Sequence, residues 1–441
     1  MKNHEKRKAV AIRKSFAGLG LGLTAALALS GCSADAGDGS VTLQMVESLT
    51  NPARTEVLKG LIADFEEENP DINVELVSPP TDQADQKIQQ MLQAGSGVDV
   101  VEVRDITVGP FSTNGWLSDM SGELEDWDGW DNLTENATKY AKNADGETFY
   151  VPYGFYGLSL FYRTDLIEEA GFDGPPASWD DLLEQATALQ DPSKNQFGYA
   201  FRGGTNANSN VVVAIEAYVA DQIDEENAFK LTNGDTIFSA PEAKDALETY
   251  FDLFEEASPP SSVAWGYPEM VEGFSNGSTG FLLQDPEVIA TVEQSDAITA
   301  DQWSTAPLLV GPSGKAIQPM ATAGWGTAES SEHKEEAAKL ISFLSEGDAA
   351  TTFAEKNSLV PILKDAAESE FYKTGAWASY VTMNEDPETW ISAVQPRDSS
   401  WWTEWIQKSD SEVQQVLIGE LTEDELLESW DAYWTDKWKN S

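Results

Sequence analysis

From residue 41 onward, apolar positions recur in two rhythms. Val41, Leu43 and Met45 alternate with polar neighbours, the period of a strand with one buried face. Val57, Leu58, Leu61, Ile62 and Phe65 recur at three and four, the period of a helix that Asn51-Pro52 caps and starts and Asn69-Pro70 stops. Ile72, Val74 and Leu76 predict a second strand, a helix through Ile88, Met91 and Leu92 ends at Gly95, and Val98 to Val103 predicts a third, apolar strand. Such βαβαβ order implies a parallel sheet covered by helices with right-handed crossovers. Ligands of these sheets sit beyond the carboxyl ends of the strands, here Glu47-Ser48 and Arg104-Asp105. Gly95 and Gly97 do not open a helix, and neither a GxGxxG nor a Walker pattern occurs, which excludes a nucleotide site.

The pattern continues through 148–189. Tyr150-Val-Pro152 is an extended piece, since a proline biases the residue before it toward β geometry. The strand Leu158 to Tyr162 follows, then a short helix from Arg163 to Gly171. The turn Gly174-Pro-Pro176 leads to a capping box of Ser178 and Asp181. A strand at Phe197 to Phe201 and a helix at Val211 to Val219 are joined by the polar loop Arg202 to Asn208. Ser239 to Glu242 caps a helix running to about Glu256. Glu269 to Phe274 and Gly280 to Leu283 form a helix and strand that deliver Asp285-Pro-Glu287. A strand from Ala323 to Gly326, a helix from Glu332 to Leu344, and helices around Trp405 to Leu417 and Thr422 to Trp438 complete the reading, the last with a Thr422–Glu425 capping box. No internal repeat is evident.

The N-terminus follows other rules. Lys2, Lys6, Arg7, Lys8, Arg13 and Lys14 form a basic segment before the apolar run Phe16 to Leu29, which is shorter than the ~20 residues of a membrane-spanning helix. Leu29-Ser-Gly-Cys32 then places small residues before the chain's single cysteine, a lipobox. The expectation is a signal peptide over 1–31, lipidation of Cys32 and a Gly/Ser-rich tether over 32–40, anchoring the exported chain to the outer face of the cell membrane. With 1–31 removed, 75 acids face 21 bases, a net charge of −54. That field repels nucleic acid and anionic lipid, leaving the lipid anchor as the sole membrane contact. With no second cysteine there is no disulfide, and apolar burial must hold the fold.

Chemistry is constrained by histidine. His4 lies in the signal segment and His333 on a charged helix, so Ser-His or Cys-His catalysis has no base, and no zinc site of His and Cys can form. Two carboxylates suffice for a glycosidase, so an exported glycan hydrolase stays open. The 15 tryptophans, six of them at or beyond Trp401, suit ligands with apolar C–H faces and a rim of hydroxyls.

The stretch 148–189 resembles, in order and spacing, the extracellular solute-binding proteins of family 1, the sugar receptors of ABC importers. Asp99-Val-Val101 is similar to the family's "pDv" strand, 114–120 to its "aGlL-dLt" segment, 269–283 to its "F-x-x-Gk-aam" helix and strand, and Ala323-Gly-Trp-Gly326 to its "ggwglai" strand. The resemblance implies an α/β fold, two-lobed and periplasmic-binding-protein-like (type II), each lobe a sheet covered by helices, with a ligand cleft at a hinge of three crossings near Gly154, Ala323 and Asn357. Residues 41–154 and 322–356 would form one lobe, 155–321 and 357–441 the other. It implies a monomer that binds a mono- or oligosaccharide or polyol, without cofactor or metal, and delivers it to ABC permease subunits. A receptor for another solute, such as a peptide or metal ion, stays open.

By position in that fold, Tyr156, Trp325 and Trp402 are expected as stacking or wall residues, and Glu47, Asp105, Asp285 and Arg397 as polar contacts, with Arg202, Asn208, Trp265 and Tyr267 near them. Tyr156 stands where a maltose-binding member of the family places a sugar-binding acid, so maltose need not be the ligand. Trp402 aligns with an aromatic that stacks on a sugar ring in that member.

Overall fold

The structure, a computed structural model, describes residues 40–440 apart from Asn51, Ala144, Met320, Asp398 and Ser400. The signal peptide, Cys32, the tether and the Asn51 cap lie outside the described residues. Strands β1 (Val41–Val46), β2 (Ile72–Val77) and β3 (Val100–Arg104) pair in parallel, as the alternation predicts. The chain later adds β4 (Val151–Tyr156) and, far along the sequence, β12 (Ala321–Thr327), both entering through antiparallel pairs to give the order β2-β1-β3-β12-β4.

The pleat explains which residues are core. Leu43, Met45, Val100, Tyr153 and Trp325 face the helices Pro52–Glu68, Lys334–Leu344 and Gly347–Lys356. Val46, Val101 and Val103 point to the opposite face and meet Ile88, Leu92, Phe111 and Leu117. Gly324 sits at a bulge where β12 crosses β4, and a Cβ there would lie 2.1 Å from the Val151 carbonyl oxygen, so only glycine permits this approach.

The second lobe is built on β5 (Ser159–Arg163), β6 (Phe197–Tyr199), β9 (Thr279–Gln284) and β10 (Trp303–Ala306) in the order β10-β5-β9-β6. Two small ribbons flank it: β7 (Ile223–Asp224) with β8 (Asn227–Leu231), and β11 (Ala316–Gln318) with β13 (Trp390–Ser392). The helices Trp402–Leu417 and Glu423–Asn440 bring Trp405, Trp430 and Trp434, all fully buried, against Phe229 and Phe238. This aromatic pile accounts for much of the C-terminal tryptophan count.

The chain passes between the sheets at β4–β5, at β11–β12, and after the helix Gly347–Lys356. At the first passage, Tyr153 packs in the first lobe's core while Phe155, two residues on, packs in the second's. Leu359 and Val360 divide the same way, and Val360 forms a bridge to Phe155. Gly154 lies between, where a Cβ would stand 2.8 Å from the Leu359 side chain.

Three local expectations are corrected. Ser239 does not cap its helix; it donates to the Thr236 carbonyl at 2.7 Å, Ala240 is the N-cap and Pro241 takes the first helical position. The 202–208 loop ends earlier, because Ala207–Tyr218 is already helical. The helix expected around Trp405 to Leu417 starts earlier, with Trp402 as its first residue.

Candidate functional site

The local backbone explains how the second lobe presents its side of the site. Gly203 and Gly204 lie flat against residues 262–265, where a Cβ on either would come within 2.7 Å of a carbonyl oxygen. Their N–H groups donate to the Ser262 and Trp265 carbonyls at 3.0 and 2.8 Å. Asn206 takes a left-handed φ of 59°, a conformation asparagine tolerates better than most residues. The helix Ala207–Tyr218 then starts, and the Asp410 carboxylate accepts from the Asn206 and Asn208 N–H groups at 2.8 and 3.2 Å. Burial raises the Asp410 pKa, opposed by those N–H groups and the Arg202 charge.

Between this surface and the end of the first lobe's sheet lies a cavity of about 330 Å³. It brings together Tyr156, Arg202, Asn208, Asp285, Arg397 and Trp402, six of the residues expected from sequence, with Ile106, Phe229 and Gln395 beside them. Tyr156 is half-buried; burial raises its pKa and the Glu287 carboxylate pushes the same way. Trp402 is half-buried, its ring 5.8 Å from Phe229 and 6.4 Å from Trp434. Asn208 is 3 % exposed and its Oδ1 has no hydrogen-bond partner among the described residues, a buried acceptor left open.

Charges are balanced across the opening. Arg397 Nη1 stands 3.1 Å from Asp105 Oδ2, an ion pair between the lobes. Burial lowers the Arg202 pKa; Tyr250, Asp410 and Asp285 oppose that shift. Asp285 is pushed up to about 7 by burial and by Glu287, although its surface stays partly open to the cavity. Tyr267 lies within reach of the same charges: burial raises its pKa, and Asp285 and Glu287 add to the shift.

Glu47, Trp325 and Trp265 are not brought to the cavity wall. Glu47 is fully buried and its carboxylate accepts from Arg54, Thr55 and Ser78 at 2.7, 2.8 and 2.6 Å. Arg54 continues to Glu102 at 2.5 Å, and Tyr153 donates to that carboxylate at 2.5 Å. Trp325 is 1 % exposed, tilted against Tyr153 at 5.3 Å beneath the Arg54 guanidinium. A buried ion triad with a stacked aromatic is a structural unit, with its charges consumed internally. Trp265 is half-buried against the second lobe's core, its ring lying over Gly273.

Gln395 and Asp410 escaped the sequence reading. Gln395 lies two residues before Arg397 with no pattern of its own, and Asp410 acts through the unforeseen early start of the helix Ala207–Tyr218. Two other hollows exist, one at Phe65, Phe343 and Glu346 and one at Lys244, Phe251 and Glu423, but each is lined by a single lobe. Among the described residues, no group of three or more His, Cys, Asp or Glu is placed to hold a metal, and no helix is long and apolar enough to cross a membrane.

The chain matches the family model of the bacterial extracellular solute-binding proteins over residues 51–351, more than half its length. A Brucella abortus (strain 2308) chain described as a binding protein is 25% identical over 94% of this chain and 96% of its own. An Escherichia coli (strain K12) protein described as an ABC transporter periplasmic-binding protein, YcjN, is 24% identical over 73% of this chain and 72% of its own. Among solved structures, maltose-bound T. maritima MalE3 superposes with a TM-score of 0.74 at 22% identity, over 89% of this chain and 99% of the other.

Proposed function

The chain belongs to the bacterial extracellular solute-binding proteins, and from that premise we propose that its interlobe cavity captures a carbohydrate, a mono- or oligosaccharide or a polyol, for an ABC permease. The observation that carries this reading is the pairing of two half-buried rings, Tyr156 and Trp402, with planar polar groups on one 330 Å³ cavity. A sugar ring offers an apolar face to such rings and hydroxyls to the Asn208, Gln395, Arg202 and Asp285 side chains. Each hydroxyl both donates and accepts, so an unpartnered amide oxygen and a carboxylate can be satisfied together.

Capture proceeds by closure. Contacts to a ligand from Tyr156 and Ile106 on one side and from Asn208, Asp285 and Trp402 on the other coexist only when the lobes meet, so binding shifts the population to the closed form. The permease reads that form. Delivery calls for the protein to stay near its permease, and lipidation at Cys32 supplies the anchor. Family members are receptors rather than enzymes, and this chain acts by binding and release without bond cleavage.

Small-angle scattering with calorimetric titration tests the mechanism: a bound carbohydrate lowers the radius of gyration, and a carbohydrate that binds tightly yet leaves scattering unchanged contradicts closure. For the anchor, Cys32→Ala abolishes acylation and membrane recovery; unchanged acylation contradicts it.

A further inference from the structure

The helix Ala207–Tyr218 is buried around its circumference, and Val212 and Val213 touch the cavity. One turn deeper lies Glu216, 0 % exposed, set among Ile215, Ala217 and other apolar residues of the second lobe. Among the described residues its one side-chain hydrogen bond comes from Gln395, whose Nε2 donates to Oε1 at 2.9 Å. The other oxygen, Oε2, is buried without a hydrogen-bond partner among the described residues.

Among the described residues no cation forms an ion pair with this carboxyl. On the helix Pro241–Ala257 the buried titratable side chain is Tyr250, which lies with Tyr199 and Asn210. From the helix Trp402–Leu417, Asp410 is held at the N-terminus of Ala207–Tyr218, about 12 Å along its axis from Glu216 at ~1.5 Å per residue. Asp180 is bound by the Tyr218 hydroxyl at 2.8 Å. Lys315, ahead of β11, is half-buried, and Glu225 and Glu226 between β7 and β8 are exposed. Burial pushes Glu216 up to about 8, against the opposing pull of the Gln395 hydrogen bond.

An isolated buried carboxylate is expensive and escapes by taking up a proton. A carboxylic acid facing a primary amide then closes a two-bond ring: the amide N–H donates to one acid oxygen, and the acid O–H donates to the amide oxygen. The observed N–H bond to Oε1, with Oε2 left over, is half of that ring. Gln395 itself lines the cavity.

We infer that Glu216 is held as a neutral carboxylic acid and is a positioning residue, locking the Gln395 amide so that its second N–H faces the ligand. This rests on the reading of the cavity as the ligand site. The acid contacts no ligand; it acts through Gln395. Loss of its proton leaves the amide tied by one bond and free to turn.

The test needs no ligand, so a failure of the carbohydrate reading does not register in it. NMR of the side-chain amide of Gln395, assigned by Gln395→Ala, is followed against pH in the wild type and in Glu216→Gln. In the wild type the signal is protected from hydrogen exchange and shifts in one titration with a midpoint near 8, far from the ordinary 4.5 of a glutamate. In Glu216→Gln an amide replaces the acid, so protection persists and the titration disappears. Absence of a titration in the wild type, a midpoint in the ordinary carboxylate range, or the same titration in Glu216→Gln overturns the proposal. Glu216→Ala, where it folds, loses the protection at every pH; full protection in that variant also overturns it.

Discussion

Arg397 reaches across the cleft to Asp105, its Nη1 3.1 Å from the carboxylate, so a residue just ahead of the helix Trp402–Leu417 in one lobe is tied to the first helical turn of the other. Both residues are expected from sequence as ligand contacts; in the structure they hold each other. The pair is partly exposed, which limits its worth to roughly 0.2–1 kcal/mol.

Arg397→Gln is therefore expected to leave the melting temperature nearly unchanged and to weaken ligand affinity about twofold to fivefold, through loss of an ion pair that joins the two lobes. Titration calorimetry at low and at roughly 1 M salt checks this: the difference between wild type and variant shrinks as salt screens the pair.

Trp402 is half-buried on the cavity and leans on Phe229 and Trp434. Trp402→Ala is expected to remove a stacking platform worth about 1.5–3 kcal/mol, a loss of roughly ten- to a hundredfold in affinity. Because one face packs on the core, some stability goes with it, less than the ~3–5 kcal/mol of a fully buried aromatic. Calorimetric titration and thermal melting of the one variant separate the two contributions. Near-normal affinity with a large fall in melting temperature removes Trp402 from the site.

Trp325 gives the opposite outcome. It is 1 % exposed among Tyr153, Phe353 and Arg54. Trp325→Ala is expected to cost about 3–5 kcal/mol of stability while the folded fraction binds with near-normal affinity. Arg54→Met is comparably damaging, ~3–5 kcal/mol, since it leaves Glu47 and Glu102 buried without their cation. Denaturant unfolding reports both.

Asp285 makes stability depend on pH. Its folded pKa, about 7, lies above the ordinary 3.8, so between these values the folded state holds a proton that the unfolded chain has released. Stability therefore falls as pH rises through that window, and the full penalty stands above about 7. Asp285→Asn is expected to melt higher than wild type at pH 8 and close to it at pH 4. Glu216 contributes a slope of the same sign, so the difference between wild type and Asp285→Asn is the readout.

The sequence carried the fold well where periodicity and turn chemistry are local. β1 to β3, the Gly95 and Gly171 helix ends, and the Ser178–Asp181 and Thr422–Glu425 capping boxes all follow from nearby residues. The antiparallel entry of β12 between β3 and β4 is a long-range pairing that no local pattern encodes. The site divides on the same line. Six expected residues meet at the cavity: Tyr156 comes from the first passage between the lobes, and Arg202, Asn208, Asp285, Arg397 and Trp402 come from strand ends and helix starts of the second lobe. Glu47 and Trp325 look identical in sequence to cleft residues at strand ends and starts. What withdraws them is Arg54, whose charge draws Glu47 and Glu102 together and whose guanidinium covers the Trp325 ring. Glu216 gave no signal at all, being one acid among 76 until its burial is seen.

A thermal-shift screen tests the central claim most directly, because a ligand that binds the folded state raises the melting temperature by mass action. The protein is melted with mono-, di- and oligosaccharides, maltose and D-mannitol among them, alongside amino acids, short peptides and divalent metal ions. The account predicts that at least one carbohydrate raises the melting temperature in proportion to the logarithm of its concentration, and that Trp402→Ala diminishes the rise. A rise with a peptide, amino acid or metal ion, and none with any carbohydrate, would contradict it.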